Sequence, residues 1–255
     1  LKSPLRRLER AEIERRVRDA AQKLHITHLL ERKTARLSGG EMQRVSIGRA
    51  IVREPRVFLM DEPLSNLDAK LRESLRVELE HLQKTQGITT IFVTHDQIEA
   101  LTMADRLAVL QAGRVVQVGT PEDIYDRPAS TFVAQLVGTP RINLIPVVRE
   151  DGTLRAAGGL EFPLPRVSRL PERLRLGLRP EDLRLSPDGP HRAQVTLTEP
   201  LGVETVVHLR VGDTPLLAVT PGTGRYAVGS ELRFSVAPER LHLFGPDGRR
   251  LGSGV

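Results

Sequence analysis

The sequence predicts an α/β unit followed by a small all-β domain. Residues 1–137 alternate helical patterns with short apolar strands, which is typical of a mixed α/β fold. From about Pro140 onward, proline and glycine become frequent between short alternating runs such as 203–209. This pattern is typical of a small antiparallel β domain or barrel. We therefore place a domain boundary between residues 138 and 139.

The composition excludes several classes of protein. The 255 residues contain no cysteine, which excludes disulfides, zinc thiolate sites and thiol catalysis. Aromatic residues make up only 3%, which argues against base stacking as the main activity. No apolar run approaches the roughly 20 residues that a membrane helix needs. The net charge of +6 is spread among interleaved acids, so a basic nucleic-acid-binding module is the weakest of the alternatives.

Three helices are predicted in the first half of the chain. Apolar residues at helical spacing predict a helix over 11–30. Ser38, with Glu41 three residues later, predicts the capping box of a second helix. A leucine repeat over 67–82 predicts a third helix, which ends near Gly87 because glycine is a good C-cap.

Two short apolar strands, 57–60 and 89–94, flank the third helix. A strand, a helix and a strand of these lengths predict a right-handed parallel unit whose strands are buried on both faces. Asp61 and Glu62 follow the first strand, and His95 follows the second. Because ligands bind beyond the carboxyl ends of parallel strands, we expect the two carboxylates and the imidazole to gather at one edge.

These residue types suit hydrolysis of a magnesium-bound nucleotide. Asp61 would hold Mg²⁺, because hard cations prefer carboxylate oxygen, and Glu62 would polarise an attacking water. The segment Ser38, Gly39 and Gly40 indicates an anion site, since glycines allow close approach of phosphate and the helix start offers free N–H groups.

The order and spacing of these segments strongly resemble the ATPase subunit of ABC transporters. The resemblance rests on Leu-Ser-Gly-Gly-Glu at 37–41, Asp61-Glu62 after the strand, Ser-Asn-Leu-Asp at 65–68, and His95. It implies a P-loop-type ABC ATPase core over 1–138, an incomplete parallel sheet plus a helical subdomain. Within it, 1–54 would be the helical subdomain with the signature helix, and 55–138 would run from the Walker B strand to the end of the core.

The resemblance also implies a role for each site residue. Glu62 would be the catalytic glutamate, His95 the switch histidine that contacts the γ-phosphate, and Asp61 the Walker B acid that holds Mg²⁺. The signature would bind the nucleotide of the opposite subunit through Ser38, Gly39, Gly40 and Glu41. Glu41 departs from the commonest signature, which has glutamine there. The D-loop would consist of Ser65, Asn66, Leu67 and Asp68.

The second half resembles the regulatory domain of one group of importers. Gly-Leu-Arg-Pro-Glu at 177–181 and the β-rich tail over 139–255 are similar to the oligonucleotide-binding-like (TOBE) domain of maltose and glycerol-3-phosphate importer ATPases. The resemblance implies ATP and Mg²⁺ as cofactors and a role in sugar import. It implies a second ATPase subunit in a homodimer or heterodimer, transmembrane permease subunits and, indirectly, a solute-binding protein as partners. It places the protein at the cytoplasmic face of the cell membrane and implies no nucleic acid partner.

One element that an ABC ATPase needs is not in this sequence. No Gly-x-x-Gly-x-Gly-Lys-Ser/Thr phosphate-binding loop occurs in the 255 residues. We therefore expect an N-terminally truncated importer ATPase that lacks its Walker A third. Alone it would neither bind nor hydrolyse ATP appreciably and would be poorly soluble. Two alternatives stay open: a signature that serves an intact partner in trans, and a non-catalytic regulatory or interaction module. The sequence does not identify the transported solute.

Overall fold

The computed structural model describes residues 2–3, 6–65, 67–164 and 170–251. The chain divides into two compact units, Leu1–Ala104 and Asp105–Val255. The sequence predicts a domain boundary between residues 138 and 139, and this boundary stays a prediction.

The first unit is mixed α/β. Its strands are β1 (Lys2–Ser3), β2 (Arg6–Arg7), β3 (Val57–Asp61) and β4 (Thr89–Val93). Its α-helices are α1 (Arg10–Lys23), α2 (Gly39–Ile51), α3 (Ala69–Gln86) and α4 (Gln97–Met103), with 3₁₀ turns at Thr27–Leu29 and Thr34–Arg36. Strands β1 and β2 pair antiparallel, whereas β3 and β4 pair parallel through the α3 crossover, as the sequence predicts.

The ends of α2 and α3 follow from local sequence signals. The predicted capping box at the start of α2 is confirmed, since Ser38 and Glu41 each accept a backbone hydrogen bond from the other. Helix α3 ends as predicted, because Gly87 adopts the left-handed conformation at φ +59°. An ion pair of 2.7 Å between Arg44 and Glu78 joins α2 to α3.

The first helix is shorter than the sequence predicts. Helix α1 ends at Lys23 rather than running over 11–30. His25 takes a positive φ of 55°, which no α-helix accommodates, and the chain resumes as the 3₁₀ turn Thr27–Leu29. No glycine or proline marks this break in the sequence.

The prediction that β3 and β4 are buried on both faces is wrong for the described structure. One face packs on α3, with Phe58 buried at 5% exposure beside Leu75 and Leu79. The other face is open: Leu59 and Ile91 pair in register and are 76% and 55% exposed.

The second unit begins with a hairpin and two short helices. These are β5 (Leu107–Gln111), β6 (Arg114–Gly119), α5 (Pro121–Asp126) and α6 (Thr131–Leu136). The remaining strands are β7 (Asn143–Glu150), β8 (Thr153–Ala156), β9 (Leu160–Pro163), β10 (Arg173–Leu178), β11 (Arg184–Leu185), β12 (His191–Pro200), β13 (Glu204–Val211), β14 (Thr214–Pro221), β15 (Glu231–Ser235) and β16 (His242–Phe244). Short 3₁₀ turns lie at Ala157–Gly159, Pro180–Asp182 and Pro238–Arg240.

Strands β7 to β16 form the predicted antiparallel β structure. One sheet has the order β16-β10-β7-β8-β9 and the other β11-β15-β12-β13-β14. Buried aliphatic and phenylalanine side chains from both sheets, Phe162 and Phe234 among them, form one apolar core.

The Gly-Leu-Arg-Pro-Glu segment ties this β structure to the helices before it. Arg179, only 2% exposed, donates hydrogen bonds to the carbonyls of Tyr125, Ala134 and Val137 at 2.8, 3.2 and 2.6 Å. Its guanidinium also lies 4.0 Å from the centroid of the Tyr125 ring, a cation–π contact. A buried cation needs such partners, and here backbone oxygens supply them.

Within the described residues, no helix is both long and apolar enough to cross a bilayer.

Candidate functional site

The parallel pairing of β3 and β4 brings the ends of the two strands level with each other. Asp61 stands opposite Val93 in the register, and the Glu62 N–H donates a hydrogen bond to the Val93 carbonyl at 2.9 Å. The residues that follow the two strands therefore emerge at one edge, where parallel α/β folds bind ligands.

Glu62 and His95 meet at this edge. The Nδ1 atom of His95 lies 3.1 Å from Oε1 of Glu62, and both side chains are open to solvent, at 72% and 44% exposure. Glu62 has a positive φ of 44°, which is uncommon for a residue with a side chain and occurs often at functional sites.

Asp61 is the last residue of β3 and is exposed. Among the residues that the structure describes, it forms no ion pair. We call Asp61, Glu62 and His95 the strand-end cluster because they stand at the level ends of β3 and β4. Of the three, Glu62 and His95 are in contact, and no hydrogen bond or ion pair among the described residues joins the Asp61 side chain to them, contrary to the expectation that both carboxylates gather with the imidazole. No group of three or more His, Asp or Glu side chains in the described residues could hold a metal by itself.

The signature segment, residues 38–41, forms the start of α2. Oγ of Ser38 accepts a hydrogen bond from the Glu41 N–H at 3.3 Å, and Oε2 of Glu41 accepts one from the Ser38 N–H at 2.8 Å. The Ser38 hydroxyl also donates to Oε2 of Glu41 at 2.9 Å. These bonds from Ser38, together with the Arg32 guanidinium 3.6 Å away, lower the pKa of the Glu41 carboxyl, so it stays charged.

The two glycines of the signature segment have different surroundings. A Cβ added to Gly39 would meet no atom within 4 Å, so its backbone faces open space. A Cβ on Gly40 would lie 2.4 Å from Cδ2 of Leu71, so Gly40 lets α2 pack closely against α3. Only Gly39 offers a bare backbone to a ligand.

Three residues of the predicted D-loop, Ser65, Leu67 and Asp68, are described and lie between the strand-end cluster and α3. Oγ of Ser65 donates to the Glu62 carbonyl at 3.0 Å, and Oδ1 of Asp68 caps α3 by accepting from the Leu71 N–H at 3.0 Å. Leu67 is half-buried. Asn66 lies outside the described residues.

One contact of the signature helix was not predicted from the sequence. Nε2 of Gln43 donates to the carbonyl of Pro63, directly after the strand-end acids. Gln43 therefore joins α2 to the segment that carries Glu62. Its acceptor is a backbone carbonyl 20 residues away, and no sequence signal marks such a partner.

Comparisons with known proteins identify the family of the chain. Residues 2–65 match the family described as ABC transporter, and residues 176–244 match the family described as TOBE domain. The chain is 48% identical over 252 residues to the sn-glycerol-3-phosphate import ATP-binding protein UgpC of Ruegeria sp. (strain TM1040), covering 95% of this chain and 69% of that protein.

The chain belongs to the family of ABC importer ATP-binding subunits. The trehalose/maltose import ATP-binding protein MalK of Thermococcus litoralis is 44% identical over 262 residues, which cover 94% of this chain and 69% of that protein. The UgpC protein of Ruegeria pomeroyi is 45% identical, with 97% and 71% covered.

Membership confirms the resemblance and the fold class drawn from the sequence: an ABC ATPase core followed by a TOBE domain. This ABC importer ATPase family binds nucleotide, hydrolyses ATP in coupling to transport, and works with permease components at the membrane.

Proposed function

We propose that the strand-end cluster is the hydrolytic half of an ATP site in an importer of sugars or a related small solute. The observation that carries this proposal is the 3.1 Å contact between Nδ1 of His95 and Oε1 of Glu62, at the level ends of two parallel strands. In this arrangement Glu62 accepts a proton from the attacking water. His95 holds the γ-phosphate against that water.

Asp61 would hold magnesium together with the nucleotide. Mg²⁺ keeps several waters and commonly takes one or two carboxylates plus phosphate oxygens from its surroundings. A single exposed carboxylate beside Glu62 fits that need, and a three-ligand protein cluster is not required. The ion would neutralise charge on the phosphates, while Asp61 fixes its position.

The signature segment would act on the nucleotide of a second ATPase subunit, in a homodimer or heterodimer. Gly39 presents open backbone at the start of a 13-residue helix, where N–H groups and the helix dipole favour phosphate. Ser38, Gly40 and Glu41 shape that helix start. The D-loop of Ser65, Asn66, Leu67 and Asp68 would lie at the same dimer contact.

The relatives suggest the solute class and the partners. Their names describe import of sn-glycerol-3-phosphate and of trehalose or maltose. We infer that this chain energises import of a solute of that class, through permease subunits and a solute-binding protein, from the cytoplasmic face of the membrane.

The 255-residue chain by itself would neither bind nor hydrolyse ATP appreciably. Its sequence lacks the glycine-rich lysine loop that supplies most of the charge stabilisation of the phosphates. The same observation favours the second candidate function, a non-catalytic regulatory or interaction module. Micromolar ATP affinity of the purified chain in calorimetry would contradict both this expectation and that alternative.

The test of the proposed function is ATP hydrolysis in proteoliposomes by the protein assembled with its permease, in a form that includes a glycine-rich lysine loop. We expect a rate that rises when binding protein loaded with sn-glycerol-3-phosphate or maltose is added. Glu62→Gln should lower kcat by about 10²–10⁴-fold, because it removes the general base.

Glu73→Gln is the matched control, since Glu73 is an exposed glutamate on α3 outside the strand-end cluster. It should leave kcat unchanged. Equal rates for native protein and Glu62→Gln would refute the role of Glu62, and no hydrolysis by the native assembly would favour the non-catalytic module.

A further inference from the structure

Arg72 lies between the segment that follows β3 and the segment that follows β4. It stands in the first turn of α3, and its Nη2 donates a hydrogen bond to the Leu67 carbonyl at 3.1 Å. Its Nη1 lies 3.6 Å from Oδ2 of Asp96. One guanidinium therefore contacts both segments, although they are separated by a whole helix and strand in the sequence.

On the β4 side, Asp96 fixes the backbone that carries His95. The Asp96 N–H donates to Oγ1 of Thr94 at 2.9 Å, so the two neighbours of His95 are joined. Oδ1 of Asp96 also accepts from the Ile98 N–H at 2.8 Å and caps α4. The other carboxylate oxygen faces Arg72, and so Asp96 uses both oxygens.

On the β3 side, a series of local bonds leads from Arg72 back to Glu62. The Leu67 N–H donates to the Leu64 carbonyl at 3.3 Å, and the Ser65 N–H donates to the Glu62 carbonyl at 3.3 Å. The Leu67 carbonyl is the acceptor that Arg72 holds. This series of bonds is short, because it spans only the residues between Glu62 and the start of α3.

Arg72 also has a buried donor that neither of these two contacts satisfies. Its Nε is buried and has no hydrogen-bond partner among the described residues. Leaving a buried donor unpaired costs free energy. Among the described residues, the hydrogen bond to Leu67 and the ion pair with Asp96 are the polar side-chain contacts that hold the guanidinium.

We propose that Arg72 is a positioning residue that holds the Glu62 and His95 backbones in register for hydrolysis. The catalytic part of this inference rests on the proposed function of the strand-end cluster. Arg72 itself would touch neither water nor phosphate. It would act through Leu67 on one side and Asp96 on the other.

The structural test is amide hydrogen exchange in the 255-residue chain. Arg72→Gln should accelerate exchange by about tenfold at Ser65, Leu67 and Asp96, because a charged donor to both segments is lost. Arg72→Lys should restore part of the protection, since it keeps the charge near Asp96.

The matched control is Arg76→Gln. Arg76 stands one turn later on α3 and donates from Nη1 to Oγ1 of Thr102 on α4 at 2.8 Å, and it forms no hydrogen bond or ion pair with the described residues of either segment. Its loss should leave those three amides unchanged. If Arg72→Gln does not fold, Asp96→Asn removes the same ion pair while it keeps a side-chain acceptor for the α4 cap.

The kinetic test uses ATP hydrolysis by the natural protein assembled with its permease. Arg72→Gln should lower kcat about tenfold or more while KM for ATP changes less than about twofold, because geometry is lost and nucleotide contacts are kept. Arg72→Lys should recover part of kcat, and Arg76→Gln should match the native protein.

Each outcome decides a separate point. Unchanged exchange at both segments in Arg72→Gln and Asp96→Asn overturns the proposed link, and unchanged kcat overturns its positioning role. If the native assembly does not hydrolyse ATP, the proposed function fails, and hydrogen exchange alone decides whether Arg72 joins the two segments.

Discussion

Glu41 holds the signature segment through hydrogen bonds with Ser38. Its carboxylate accepts from both the N–H and the hydroxyl of Ser38. A glutamine at this position could accept the same hydrogen bonds but would carry no charge. Charge-assisted hydrogen bonds are stronger than neutral ones. The hydrogen bond from the Ser38 hydroxyl to Glu41 must break before this hydroxyl can donate to a phosphate.

The pairing of Glu62 with His95 could be predicted from sequence, whereas Gln43 and Arg72 could not. The two former residues directly follow apolar strands, and parallel strand ends meet at one edge. Gln43 and Arg72 bind backbone carbonyls, and a carbonyl carries no sequence signal. The positive φ of Glu62 likewise has no glycine to mark it.

A buried histidine gives the folded protein a defined pH response. His242 is 8% exposed, and burial lowers its pKa from 6.5 to about 4. Its Nδ1 accepts a hydrogen bond from Nη1 of Arg250 at 3.3 Å, which requires the neutral ring. Below pH 6.5 this histidine is therefore protonated in the unfolded chain but stays neutral in the folded chain. The free energy of unfolding falls as the pH falls towards 4.

We expect His242 to account for about 2–3 kcal/mol of stability lost between about pH 7.5 and about pH 4.5. His242→Gln should reduce this loss when the free energy of unfolding is measured by urea titration at both pH values. Burial also lowers the pKa of His191, so His191 should cause part of the stability loss that remains in His242→Gln. His81→Gln, at an exposed position, is the control. The same loss in His242→Gln as in the native protein would contradict this account.

At the scale of elements, helix ends that a capping residue marks in the sequence were predicted correctly, and a helix end without such a residue was not. The start of α2 carries Ser38 and Glu41, the end of α3 carries Gly87, and each behaves as expected. The end of α1 depends on the left-handed conformation of His25, which no glycine marks in the sequence. The open face of β3 and β4 has the same apolar residues as a buried face, so the pattern alone cannot distinguish the two.

The packing of α2 against α3 predicts that alanine substitutions at the two signature glycines have different effects on stability. Gly40→Ala should destabilise the fold by about 1–3 kcal/mol, since the new methyl group overlaps Leu71. Gly39→Ala should leave stability unchanged or raise it by less than about 1 kcal/mol, because alanine favours helix and the site is open.

In ATP hydrolysis by the assembled protein, we expect Gly39→Ala to lower the rate although it folds normally, because its methyl group keeps phosphate from the backbone. Urea unfolding and hydrolysis rates measured on both variants check the pair. Equal destabilisation by the two substitutions would show that the described packing of α2 on α3 is incorrect.

At the scale of the whole molecule, the order of the α/β half and the β half along the chain was predictable. The strand order within the β sheets was not. Turn residues and alternating runs predict antiparallel strands in the second half, and two five-stranded antiparallel sheets are found. Their strand orders place β16 beside β10 and β11 beside β15, pairings that are distant in the sequence. Local patterns do not encode such partners.

The central claim is that Glu62 and His95 act on the same phosphate group and water in an ABC importer ATPase. Single-turnover ATP hydrolysis by the assembled natural protein, measured for Glu62→Gln, His95→Ala and the double variant, tests it most directly. Because residues that act as a unit are not additive, we predict that the double variant is about as slow as Glu62→Gln alone. A double variant whose loss equals the product of the two single losses would contradict the account, because the two side chains would then act independently.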